Sequence, residues 1–111
     1  MATSAWAEWT YFIEGEDGDV YLIDYDNIER SDNDLIYFWF KSVHKAPNEL
    51  GDITATNFFE VSCNAPRKYK PLVYRGVRFN SGGSYEITPP DKWLYPLSGS
   101  ITRSMINRLC D

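Results

Sequence analysis

"ITATNFFEVSCNAPRKYKPLVYRGVRF", residues 53–79, decides how the rest of the chain is read. Ile53 to Cys63 is rich in β-branched and aromatic residues, which suit a pleated, half-buried surface. Asn64-Ala65-Pro66 carries turn chemistry. Arg67 to Phe79 then runs back as a second strand, so the segment is a β-hairpin. Pro71 has no N–H to give to a ladder and marks an edge or a bulge. Cys63 closes the first strand, and the only other cysteine is Cys110, the second-last residue.

Upstream lies "LIYFWFKSVH", residues 35–44, the most apolar stretch. Leu35, Tyr37 and Trp39 alternate with Ile36, Phe38 and Phe40. That is a central strand covered on both sides, or one whose second face meets a partner. In "EWTYFIE", residues 8–14, Trp9, Tyr11 and Ile13 alternate with Thr10 and Phe12. Asp17-Gly18 is a hairpin turn, and "DVYLIDY", residues 19–25, is the return strand. "DNIERSDND" is a polar connection in which Asp26 is placed to cap a short helical turn.

Downstream, "NSGGS" is a loop, "YEI" a short sixth strand, and "TPPDKW" holds two prolines that forbid regular structure. Leu97, Ile101, Met105, Ile106 and Leu109 then recur at helical spacing, with Ser98 or Ser100 as the N-cap. This predicts an amphipathic helix of about three turns. About six strands followed by one helix is an α+β fold, the helix lying on one sheet face.

The 111 residues make one domain, large enough to bury a core. No stretch approaches the roughly 18 apolar residues of a membrane span. Ala5-Trp6-Ala7 has the small-x-small form of a signal-peptidase site before Glu8. Residues 1–7 are accordingly read as a signal-peptide remnant or added leader, and residues 8–111 as the domain. There is no lipobox cysteine, so any membrane attachment is expected only through an anchor not present in this chain.

Net charge is −5. Residues 1–34 hold ten acids (Glu8, Glu14, Glu16, Asp17, Asp19, Asp24, Asp26, Glu29, Asp32, Asp34) against Arg30 alone, while the remainder holds six acids and ten bases. Such asymmetry serves faces that meet on folding, a subunit contact or an outside ligand. The acidic total argues against nucleic acid, whose phosphates need an excess of Lys and Arg.

If the helix packs back on the sheet, a Cys63–Cys110 bridge pins the chain terminus to the core. Closing a loop of about 47 residues stabilises by roughly 4 kcal/mol in the chain-entropy model. The alternative is two independent buried thiols. A bridge implies an oxidising compartment, and the absence of CxxC argues against a redox-active pair.

Arg67, Lys68, Lys70, Arg75 and Arg78 are five of the eleven positive charges. By strict alternation Lys68 and Lys70 share one face, and Arg67 and Arg75 the other. They are either a charged edge that resists aggregation or a site for an anionic surface: an acidic glycan, an acidic host protein, or the acidic half of a twin subunit. His44, the only histidine, is read as a solvated loop-edge residue. It lacks a nucleophile motif such as GxSxG, and metal binding through His and Cys fails by count. "EGEDGD" lacks the EF-hand pattern and reads as a solvated hairpin. No catalytic residues, metal or cofactor are expected.

In order and spacing, several segments resemble the surface-adhesin E family of bacterial exported proteins. Tyr21, Asp24, Ile28 and Arg30 match its second segment, Trp39 and Lys41 its central strand, and Cys63, Arg67 and Tyr69 a Cys-led segment. Trp93 and Pro96 precede the helix, and Cys110 ends the domain. The resemblance covers residues 8–110. It implies a curved antiparallel sheet, a C-terminal helix held by the Cys63–Cys110 bridge, and export to the periplasm or outer surface. It also implies non-catalytic binding of host matrix or serum proteins, and homodimers. A periplasmic or envelope-associated structural domain with no host ligand is the alternative.

Overall fold

The computed structural model describes residues 8–111, and the Ala5-Trp6-Ala7 leader reading lies outside them. Seven strands form one antiparallel sheet: β1 (Thr10–Glu14), β2 (Val20–Ile23), β3 (Glu29–Arg30), β4 (Leu35–Val43), β5 (Asp52–Ser62), β6 (Lys68–Arg78) and β7 (Ser84–Ile87). The order is β1-β2-β4-β5-β6-β7. β2 pairs with Phe40–Val43 of β4, and two-residue β3 takes Ile36 and Tyr37 of the same strand. One helix, α1 (Ile101–Cys110), closes the chain. No described helix is long and apolar enough to cross a membrane.

The 53–79 hairpin forms as read, and the greasy segment before it is the central strand. Its even positions Ile36, Phe38 and Phe40 are buried with Ile23, Phe59 and Val61 under Met105, Ile106 and Leu109 of α1. Ser100 caps the helix, its Oγ accepting from the Arg103 N–H at 3.1 Å. At the other end Arg30 Nη1 donates to the Leu109 carbonyl at 3.1 Å. That places a cation against the negative end of the helix dipole. The bridge between Cys63 and Cys110 is formed, with a Cα–Cα distance of 5.6 Å.

About six strands were expected, and the sheet carries these with a two-residue strand, β3, besides. Other expectations are corrected. Leu97 lies outside the helix and is 77% exposed, so it is not part of the apolar stripe. The short helical turn spans Tyr25–Asn27 with Asp24, not Asp26, at its N-terminus; Asp24 Oδ2 accepts from Asn27 Nδ2 at 2.8 Å. β1 is bulged between Tyr11 and Ile13, which breaks its alternation.

The most consequential irregularity is in β6. Phe58 pairs with Val73 and Phe59 with Pro71, leaving Leu72 as an extra residue. This is the bulge that Pro71 signals, and one extra residue inverts every side chain beyond it. Lys68, Lys70 and Arg75 therefore share a face, contrary to strict alternation. Arg67 and Arg78 belong to the helix side.

Candidate functional site

α1 covers one face of the sheet. On the other, β4 presents Tyr37 and Trp39, and β5 presents Phe58 and Glu60. Trp39 stacks on Phe58 with centroids 4.7 Å apart, and Tyr37 lies 6.4 Å from Phe58. Cations lie over these and neighbouring rings: Arg75 is 4.7 Å from the Trp39 centroid, and Lys41 is 6.0 Å from that of Trp9. Trp93 takes both Lys68 and Lys70, at 4.8 and 4.7 Å. Contacts of this kind cover aromatic surface with the stem of a charged residue while its head stays wet.

Among the described residues, two of these four cations are answered by carboxylates. Lys70 pairs with Asp91 at 2.8 Å and lies 3.9 Å from Glu60; Arg75 pairs with Glu86 at 2.6 Å. The Asp91 carboxylate beside it raises the Lys70 ammonium above its ordinary value. The Tyr37 hydroxyl donates to Glu60 at 2.8 Å, which raises the phenol likewise. The five basic residues thus split. Lys68, Lys70 and Arg75 lie on the open face. Arg67 bonds Asn107 and Asp111 on the helix side. Arg78 donates to the Leu50 carbonyl and stacks 4.3 Å from the Tyr85 ring.

His44 is not a solvated loop-edge residue. Its side chain is 11% exposed, its Nδ1 is 2.8 Å from Asp19 Oδ2, and its Nε2 is 3.1 Å from Ser42 Oγ. The Asp19 carboxyl is held below its ordinary value by that bond and by the Lys45 N–H. The connectivity is that of an acid–imidazole–hydroxyl relay. Ser42, however, is buried on the helix side of β4 with its hydroxyl 3.4 Å from the Ala55 carbonyl. A nucleophile needs a path to its substrate, so this series reads as a clasp between the β1–β2 turn and the end of β4.

A second buried group has no counterpart in the sequence reading. Asp52 is fully buried, and its Oδ2 accepts from the hydroxyls of Tyr74 (2.6 Å) and Tyr85. Burial pushes the carboxyl up, but the two phenols and the charges of Arg78 and His44 outweigh it and leave it lowered. Room for the carboxylate comes from Gly76, where a Cβ would lie 2.7 Å from Asp52 Cγ and from Tyr85 Cε1. A glycine inside a strand signals close approach; that was the available clue. Among the described residues no group of three or more His, Cys, Asp and Glu side chains is arranged to hold a metal.

No family model, curated protein or solved structure matches the chain.

Proposed function

We propose that this is a non-catalytic, exported bacterial binding module resembling surface adhesin E, which holds a protein partner on its open sheet face. The observation that carries the reading is the Trp39–Phe58–Tyr37 row with Arg75 over it, on a sheet face that α1 does not cover. Tyr, Trp and Arg around a flat apolar centre with a polar rim is the composition of protein-contact hot spots. The apolar row at the centre of this face suits host matrix or serum proteins better than an acidic glycan, whose binding would rest on the cations at its rim. Bulges in β1, β5 and β6 support a curved sheet, since each bends its strand. The Cys63–Cys110 bridge is compatible with an oxidising compartment and supports export.

The test is surface binding to immobilised plasma and basement-membrane proteins, comparing the parent with a Trp39→Ala/Arg75→Ala variant. Hot-spot truncation predicts a loss of about tenfold or more. Equal binding by the variant overturns the assignment of the face. Tighter retention on heparin than on any protein surface overturns the choice of a protein partner. Antibody access on intact cells separates adhesion from a purely periplasmic structural role.

A further inference from the structure

A second surface lies on the helix side and stands apart from the open face. The turn after β5, the segment before α1 and α1 itself enclose a groove of about 680 Å³. Cys63 of the disulfide and Pro66 line one wall, and Tyr95 stands on another. Arg67, Arg103 and Asn107 bring polar groups into the same space. The walls are held by a covalent bridge and a helix, so the groove needs little ordering before it can bind.

The groove already shows which chemistry it takes. Arg67 Nη1 donates to Asn107 Oδ1 at 2.8 Å while its Nη2 holds the Asp111 carboxylate at 2.5 Å. A planar guanidinium fork is suited to a carboxylate. The Asp111 side chain is 67% exposed, and an exposed ion pair of this kind is weak and readily exchanged. Arg103 lies one turn before Asn107 on the same helix stripe. It is exposed and has no carboxylate partner among the described residues. Beside the groove, Tyr95 is 61% and Leu97 77% exposed, large apolar side chains that the core does not use.

We propose that this groove docks an extended acidic segment of a partner protein. An Asp or Glu side chain of that segment takes Arg67 and Arg103, and an apolar neighbour lies on Tyr95. In the free protein Asp111 occupies the carboxylate position and competes with the partner.

The test is an NMR titration of the isotope-labelled, disulfide-intact protein with a capped Leu-Asp-Tyr peptide and its Leu-Asn-Tyr counterpart. Capping removes terminal carboxylates as a source of binding. The Asp peptide should shift the Arg67, Arg103 and Asn107 signals, with a Kd on the order of 1 mM for so short a ligand. The Asn peptide should bind about fivefold more weakly, and Arg103→Gln should lose about as much. Asp111→Asn should tighten binding about threefold or more by removing the internal competitor. A merely structural Arg67–Asp111 pair predicts no such gain. The proposal is overturned by any of three results: no shifts at the groove, equal affinity for the two peptides, or an Asp111→Asn variant that remains folded and binds no better.

Discussion

Asp52 is hydrogen-bonded through only one of its two buried oxygens. Oδ2 is served by two phenols, while Oδ1 is buried with no partner among the described residues. With its folded value lowered from 3.8, the unfolded chain takes up the proton first as acid is added. The group's contribution to stability is therefore present above that ordinary value and is lost as pH falls from it through the folded value. Urea unfolding between about pH 5 and 3 should show the Asp52→Asn variant losing stability less steeply than the parent. Gly76→Ala meets the same carboxylate and the Tyr85 ring, and such overpacking should cost about 1–3 kcal/mol in the same assay. Gly76 advertised a close approach in the sequence, but its neighbour comes from the start of β5. No local pattern names a partner that distant, and the Asp19–His44–Ser42 clasp went unread for the same reason.

At the scale of elements, the long strands were legible because they are rich in β-branched and aromatic residues and turn residues bound them. β4 and the β5–β6 hairpin follow this rule. β3 was not legible, since two residues carry no period. The helix was legible from Ile101 onward, where Met105, Ile106 and Leu109 meet the core; Leu97 matched the spacing but precedes the cap. The candidate site was half legible. Tyr37 and Trp39 were recognisable as a second apolar face, whereas Arg75 reaches Trp39 only because Leu72 is inserted. Deleting Leu72 should turn Tyr74, Gly76 and Arg78 away from Asp52. Amide exchange is then expected to keep protection in β4 and lose it from Val73 to Ile87. Ser100→Ala removes the bond to the Arg103 N–H and should lower stability by about 1 kcal/mol in thermal or urea unfolding.

Across the whole molecule, the charge asymmetry is not resolved by folding. Among the described residues, the carboxylates paired with Lys and Arg are Glu60, Glu86, Asp91 and Asp111, all from the basic part of the chain. Within the acid-rich 1–34 segment, Asp19 reaches His44. Complementary faces within one molecule are thus not what most of those acids serve. If those acids meet the basic half of a second copy, light scattering at low salt should show association that weakens as salt screens it. Replacing both cysteines by Ala should cost about 4 kcal/mol, seen as a lower urea midpoint. The same bridge decides how the protein answers tension. A pull applied before β1 and at Asp111 runs along the backbone to Cys63, crosses through sulfur to Cys110, and leaves the 47-residue span between them slack. About 160 Å of potential extension is locked away, so β1 to β5 can be drawn out while the segment holding β6, β7 and the helix stays a closed ring.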